Sequence, residues 1–211
     1  MASLESKVDP RSAALVVVDV QNDFCHEEGA SSKNASGPGD GLQRSMIPTL
    51  NKLIDAAREV KLPVVFIQTT HSPTDDTPVW SERHENRKHY ICAEGEWGAE
   101  FYGVAPKPGD YIVNKHRYSA FAKTNLDDLL SSLSVKSIIC TGVATGACVE
   151  STARHGFWLD YFAVVVSDAT GQGSRTAHEE ALDRMARSFA TVVTADEILA
   201  CWAEMKALAT P

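Results

Sequence analysis

Residues 136–160, KSIICTGVATGACVESTARHGFWLD, contain a strand, a turn and a helix in succession, and this unit decides the predicted fold. The apolar run at 136–143 predicts a strand, and the amphipathic stretch at 146–160 predicts a helix. The turn between them holds small residues, and Cys148 stands where the predicted helix begins. A strand that passes through a tight turn into a helix is the repeating unit of α/β proteins.

The rest of the chain repeats this alternation. Apolar, β-branched runs predict five further strands, at 13–20, 63–69, 110–115, 162–169 and 190–194. Helical spacing of apolar residues predicts four further helices, at 45–61, 125–133, 176–189 and 195–208. Six strands separated by helices predict a doubly wound, mostly parallel six-stranded sheet with helices on both faces, a Rossmann-like three-layer α/β fold. We expect one domain over 1–211.

Two segments interrupt the alternation of strands and helices. Residues 27–41 form a Gly/Ser-rich stretch, and residues 71–109 are long and mixed, with several aromatic residues and prolines. Because α/β proteins build their sites from loops beyond the carboxyl ends of strands, we expect 71–109 to be an active-site loop. Trp80 and Trp97 lie in it and are candidate lid residues or loop anchors.

Composition limits the classes of function. A formal net charge of -8 argues against non-specific binding to nucleic acid or to an anionic membrane surface. The first twenty residues do not have the pattern of a secretory signal, and no apolar run has membrane-spanning length. The 5 cysteines are odd in number and form no CxxC pair, which favours a reducing cytoplasm over a disulfide framework. We expect a cytoplasmic protein, and the net charge by itself does not identify a substrate.

An acid, a base and a thiol stand at three predicted strand ends. Asp19 ends the first strand, Lys115 ends the third, and Cys148 follows the fourth. In a parallel sheet the carboxyl ends of the strands share one edge, so we expect the three side chains to meet. Together they would form a nucleophile, a proton shuttle and a cation, with no metal and no cofactor required.

Each residue suits a specific role in amide hydrolysis. A helix N-terminus and the neighbouring Lys115 would lower the pKa of the Cys148 thiol. Asp19 would act as general base and then as general acid, and the backbone N–H groups of the turn and of Cys148 would form an oxyanion hole. Taken singly, the three residues have ordinary interpretations: Cys148 as a buried hydrophobe, Asp19 as a cap and Lys115 as a surface residue.

Several further residues are candidates for contact with the substrate, and each also has an ordinary structural interpretation. Phe24, Tyr118 and Phe121 are candidates for the walls of the substrate site or for ordinary packing. Gln172 could hold a substrate amide by hydrogen bonds or lie on the surface. Cys140, inside an apolar run, is predicted to pack in the core. The histidines of HENRKH (84–89) lie five apart and would not share a helix face, so we interpret this segment as a polar loop rather than a metal site.

These motifs together resemble the isochorismatase-like cysteine hydrolases, which include nicotinamidases and N-carbamoylsarcosine, ureidoacrylate and biuret amidohydrolases. The resemblance covers nearly the whole chain and is carried by VVVDVQNDF (16–24), VNKHRYSAF (113–121), TGVATGACVESTARHGF (141–157) and VVVSDATGQ (164–172). It implies a catalytic triad of Asp19, Lys115 and Cys148. It also implies a non-proline cis peptide at Val143–Ala144, which would aim the Ala144 N–H and the Cys148 N–H at the substrate oxygen.

The resemblance further implies an activity. True isochorismatases lack the nucleophilic cysteine, so Cys148 argues for hydrolysis of a carbon–nitrogen bond through a thioester. The chain looks closest to the ureido and carbamoyl amidohydrolases, and family members often form homodimers or homotetramers. A nicotinamide-like or isochorismate-like substrate and a catalytically silent binding subunit are the alternatives.

Two departures from the family pattern stand out. Gly146-Ala147 replaces the Asn-Val or Asp-Val pair that many relatives carry directly before the cysteine, and the smaller pair is expected to loosen the turn or to widen the pocket. Gln68-Thr69-Thr70-His71 lacks the aspartate of the nicotinamidase metal motif.

Overall fold

The computed structural model describes residues 2–34, 39–84 and 90–209, and in this part of the chain six strands form one parallel sheet. The strands are β1 (Ala13–Val18), β2 (Val64–Thr69), β3 (Tyr111–Lys115), β4 (Ser137–Val143), β5 (Phe162–Gly171) and β6 (Ala190–Val193). Their order across the sheet is β3-β2-β1-β4-β5-β6. Every pair of neighbours is parallel, so the predicted sheet is confirmed and has no antiparallel member among the described strands.

The two central strands, β1 and β4, are mostly apolar because they are buried on both faces. All residues of β1 and β4 are buried, because helices cover both faces of the sheet. The edge strand β3 instead alternates buried and exposed residues. Continuous apolar runs are therefore found in the centre of the sheet, and the edge strand β3 is more polar and more exposed.

Helices pack on both sides of the sheet. In the described ranges they are α1 (Leu4–Lys7), α2 (Asn22–Cys25), α3 (Ala30–Asn34), α4 (Leu42–Ser45), α5 (Ile47–Glu59), α6 (Pro78–His84), α7 (Leu126–Ser132), α8 (Glu150–Trp158), α9 (Arg175–Ser188) and α10 (Ala195–Ala209). One apolar cluster joins the sheet to α5 and α10, and a second joins it to α7, α8 and α9. None of the described helices is long and apolar enough to cross a lipid bilayer.

The two segments that interrupt the alternation contain short helical pieces. The Gly/Ser-rich stretch includes α3, and residues 35–38 lie outside the described part of the chain. The loop at 71–109 includes α6 and a 3₁₀ turn at Trp97–Ala99. Apart from His84, the HENRKH segment also lies outside the described residues, so its interpretation as a polar loop stays a prediction.

The turn after β4 is shaped by a close backbone approach. Gly142 has a φ of 94°, and a Cβ atom at this position would overlap the backbone of Val18 in the neighbouring strand. Only glycine combines this left-handed conformation with such proximity. One residue further along, the Val143–Ala144 peptide bond is cis, as the family resemblance implies.

Candidate active site

Strand register brings the predicted catalytic residues to one edge of the sheet. Val18, the last residue of β1, is level with Ile67 of β2 on one side and Gly142 of β4 on the other. Asp19 follows Val18 directly and adopts a φ of 52°, a left-handed conformation that is uncommon for residues other than glycine. Lys115 ends β3 and is level with Thr69 at the end of β2. Four neighbouring strands therefore end around one point.

The side chains of Asp19, Lys115 and Thr69 form a buried polar cluster with Cys148. Lys115 Nζ lies 2.7 Å from Asp19 Oδ2 and 3.5 Å from Cys148 Sγ. The ammonium group also donates to Thr69 Oγ1 at 2.7 Å and to the Arg117 carbonyl at 2.9 Å. The Thr69 hydroxyl in turn donates to Asp19 Oδ1 at 2.9 Å. The side chains of Asp19, Lys115 and Cys148 thus lie together, as the sequence led us to expect.

This cluster is almost closed to solvent. Asp19 is 0% exposed, Lys115 1% and Cys148 7%. Burial alone would lower the pKa of Lys115, but the Asp19 carboxylate, together with the neighbouring Cys148, outweighs that effect and raises it, so Lys115 stays a cation. Apart from its ion pair with Lys115, Asp19 Oδ2 has no hydrogen-bond partner among the described residues. This oxygen keeps a lone pair available for a proton.

The pKa of the thiol differs from the sequence-based expectation. Burial raises the pKa of Cys148 to about 12, and the Asp19 carboxylate adds to the increase, whereas Lys115 lowers it only in part. The expected lowering was wrong because complete desolvation outweighs one cation. In addition, Cys148 lies in a π-helical segment, Thr145–Val149, and the α-helix begins only at Glu150. Cys148 is therefore a neutral thiol at rest, and its proton has to be removed during attack.

Two backbone hydrogen bonds and the side chain of Gln172 support the turn that carries Cys148. The Ala144 carbonyl accepts hydrogen bonds from the N–H groups of Ala147 and Val149, at 3.0 and 3.2 Å. Gln172 Oε1 accepts from the Gly146 N–H at 2.7 Å. Since the Gly146 backbone is held by Gln172, the small Gly146-Ala147 pair does not leave the turn loose. Neither residue of the pair is among the residues that line the cavity beside Cys148.

A small cavity of about 40 Å³ adjoins the polar cluster. Its lining consists of Phe24, Thr69, His71, Trp80, Ile91, Lys115, Arg117, Tyr118 and Cys148. Two of the four residues that the sequence suggested for substrate contact, Phe24 and Tyr118, are therefore in the cavity wall. Trp80, from α6, is there as well, while Trp97 lies outside and its carbonyl accepts a hydrogen bond from Asn22.

The other two suggested substrate contacts lie elsewhere. Phe121 packs in the apolar cluster of α7 and α8, with its ring 5.8 Å from that of Tyr161. Gln172 uses its side-chain oxygen on the Gly146 backbone. Phe121 is thus a core residue and Gln172 a support of the turn, because tertiary packing turns both away from the cavity. Cys140 is fully buried in the core, as predicted.

Sequence reasoning missed Thr69 and Ile91. Thr69 ends a predicted strand, but its position level with Lys115 depends on β2 and β3 being neighbours, which the sequence pattern does not fix. Ile91 belongs to the long loop, and its approach to the site depends on the path of that loop rather than on a local pattern. His71, like Thr69, was named only within the segment that lacks the aspartate of the metal motif, and Arg117 belongs to the motif at 113–121; none of them was assigned as a site residue.

The chain is similar to known proteins over most of its length. The family model described as Isochorismatase domain matches residues 13–197. The ureidoacrylate amidohydrolase RutB of Pseudomonas syringae pv. syringae (strain B728a) is 32% identical in an alignment 212 positions long, gaps included, which covers 90% of this chain and 84% of that protein.

Solved structures share the whole architecture. A cysteine hydrolase from Pseudomonas syringae pv. phaseolicola 1448A has a TM-score of 0.84 at 26% identity, covering 94% of this chain and 95% of that one. The N-carbamoylsarcosine amidase from Thermoplasma acidophilum has a TM-score of 0.72 at 30% identity, covering 88% of this chain and 97% of that one. Since the family model spans most of the chain and the sheet, the edge cluster and the cis peptide follow the expected pattern, the chain belongs to the isochorismatase family.

Proposed function

We propose that the protein is a cysteine amidohydrolase that cleaves a C–N bond of a small ureido, carbamoyl or carboxamide compound. The observation that carries this proposal is the buried cluster in which Lys115 Nζ lies 2.7 Å from a carboxylate and 3.5 Å from a thiol. A nucleophile, a proton acceptor and a fixed cation at these distances are the parts that acyl transfer requires. The ureidoacrylate amidohydrolase and N-carbamoylsarcosine amidase relatives support the same class of reaction.

In the first half of the reaction, Cys148 Sγ bonds to the carbonyl carbon of the substrate. Because the thiol is neutral at rest, its proton passes to Asp19 Oδ2 as the S–C bond forms. The C–N bond then breaks, and Asp19 returns that proton to the departing ammonia or amine. The product on the enzyme is a thioester, or a thiocarbamate where the substrate is a ureide.

Water completes the cycle in the second half. Asp19, again a carboxylate, takes a proton from the water that attacks the acyl carbon, and the thiolate that leaves is reprotonated. Lys115 holds Asp19 in place and stabilises the transient thiolate, since its ammonium group contacts both side chains. We assign the Ala144 and Cys148 backbone N–H groups to the oxyanion hole, because both belong to the tight turn beside the cavity.

The cavity indicates the size of the reacting group. A volume of about 40 Å³ holds roughly three water molecules, at 10–15 Å³ each. A carbamoyl group is of this size, so the reacting end of the substrate would fill the cavity, and the remainder would extend past Tyr118 at the mouth. Tyr118 is 42% exposed, in contrast to the buried residues at the base.

The test is ammonia release across a panel of ureides, carbamates and carboxamides, with nicotinamide included, together with pyruvate release from isochorismate as a separate assay. Replacing the nucleophile, Cys148→Ala or Cys148→Ser, should reduce turnover to background while the melting temperature changes little. Cys140→Ala is the matched control, since Cys140 is an equally buried cysteine outside the cavity and its loss should affect only stability. Full activity of Cys148→Ala, or activity on isochorismate alone, would refute the proposal.

A further inference from the structure

His71 lines the active-site cavity without taking part in the proposed chemistry. Its backbone is fixed where β2 leaves the sheet: the His71 N–H donates to the Cys92 carbonyl at 2.9 Å, and the His71 carbonyl accepts from Glu94 N–H at 3.0 Å. The imidazole is 6% exposed and stacks on the Trp80 ring, with centroids 5.3 Å apart. His71 is therefore held in the wall of the cavity by its backbone and by its ring.

One ring nitrogen of His71 is occupied by a carboxylate. Nδ1 lies 3.0 Å from Asp76 Oδ1, and the other oxygen of Asp76 accepts a hydrogen bond from the Tyr90 hydroxyl. An ionised carboxylate only accepts hydrogen bonds, so Nδ1 carries the ring hydrogen. Burial lowers the pKa of His71 despite the nearby Asp76, which keeps the ring neutral. Nε2 is then a lone-pair acceptor, and it forms no hydrogen bond with another residue in the described part of the chain.

The other buried polar side chains of the cavity are hydrogen-bond donors or are already paired with each other. Lys115 and Arg117 are cations and can only donate. The hydrogen of the Thr69 hydroxyl goes to Asp19, and its oxygen accepts from Lys115. The Tyr118 hydroxyl lies at the exposed mouth of the cavity. Among the buried polar side chains of the described lining, His71 Nε2 is therefore the acceptor that no protein group already uses.

We propose that His71 Nε2 accepts a hydrogen bond from the N–H of a ureido substrate that stays on the acyl carbon when the C–N bond is cleaved, and that this contact selects ureides over carboxamides. The inference rests on the proposed function and narrows its substrate class. The carbonyl oxygen is directed to the backbone N–H groups and the departing nitrogen to Asp19, which leaves the retained N–H to be matched. A carboxamide has a CH₂ group in that place and would leave Nε2 desolvated without a partner.

The experiment compares a ureide with the carboxamide in which CH₂ replaces the retained N–H. N-carbamoylglycine and succinamate form such a pair, and the ureide that turns over best in the ammonia panel can replace the first. The variant His71→Asn keeps an N–H donor near Asp76 but removes the acceptor at the Nε2 position, whereas His71→Gln places an amide oxygen close to it. His155→Asn is the matched control, because that ring bonds Ser119 through Nδ1 and lies outside the cavity.

The readout is the ratio of kcat/KM for the ureide to kcat/KM for the carboxamide. We expect His71→Asn to reduce this ratio about 10- to 100-fold, the effect of one buried hydrogen bond, while His71→Gln retains much of it and His155→Asn all of it. A general loss of structure would lower both rates together and leave the ratio unchanged.

The outcomes separate the inference from the proposed function. An unchanged ratio in a folded, active His71→Asn enzyme overturns the role of His71 and leaves the amidohydrolase intact. A wild-type enzyme that releases ammonia from no ureide and no amide overturns the proposed function, and the inference falls with it.

Discussion

Thr69→Val is the substitution that tests the polar cluster most directly. Valine has nearly the same shape as threonine, so the change removes a hydroxyl without opening a cavity. That hydroxyl donates to Asp19 Oδ1 at 2.9 Å and accepts from Lys115 Nζ at 2.7 Å, in a site where Thr69 is 4% exposed. The variant therefore removes two hydrogen bonds that each involve a charged group.

The expected magnitude follows from those two contacts. Hydrogen bonds to charged groups contribute roughly 1.5–3 kcal/mol each, and Lys115 keeps its other partners, so we expect a total loss of about 2–4 kcal/mol in the free energy of unfolding. For a chain of this length, 1 kcal/mol corresponds to about 2–4 °C, so the melting temperature should fall by about 5–15 °C. The misplaced carboxylate should also lower kcat/KM, by about 100-fold.

Thermal unfolding and steady-state ammonia release measure the two effects. Thr69→Ser is the matched control, since it keeps the hydroxyl and removes only a methyl group, and it should retain most of the activity. If the melting temperature of Thr69→Val equals that of the wild type and its kcat/KM lies within twofold of the wild-type value, the hydroxyl does not hold Asp19 and Lys115 in place. Our account of the cluster is then wrong.

Three further predictions concern the surroundings of the nucleophile. Gln172→Leu removes the acceptor of the Gly146 N–H and should reduce kcat by about 10-fold with little change in KM, because the turn and not a substrate contact is disturbed; a change confined to KM would contradict this. The alkylation rate of Cys148 by iodoacetamide should be slow at pH 7 and still rise above pH 9, since burial raises its pKa to about 12; a plateau below pH 8 would show an activated thiolate. Hydrogen bonds from its two arginine partners lower the pKa of Glu150 below 4.5, so its contribution to stability is present above that pH and is lost as the pH falls through the folded-state value. The difference in melting temperature between the wild type and Glu150→Gln should therefore be larger at pH 7 than at pH 3, and a constant difference would refute the role of the charge.

The strands and most of the helices were predictable because their signals are local. A strand covered on both faces has to be apolar throughout, which is why β1 and β4 were evident from composition alone. The meeting of Asp19, Lys115 and Cys148 also followed from the sequence, since parallel strands bring their carboxyl ends to one edge whatever their order.

The tertiary structure decided what the pattern leaves open, namely which strands are neighbours and how far each group is from water. Strand order placed β3 beside β2, and so put Thr69 level with Lys115. Packing directed Phe121 into the core and Gln172 onto the turn, although both follow sequence motifs as closely as Phe24 does.

The pKa of Cys148 illustrates the physical reason. The sequence alone determined that a thiol stands near a helix start and near a lysine, and both features lower a thiol pKa. Only the folded chain determined that this thiol is almost fully buried beside a carboxylate, and desolvation then dominates. Residue type and spacing are properties of the chain, whereas burial and distance arise from contacts between segments far apart in sequence.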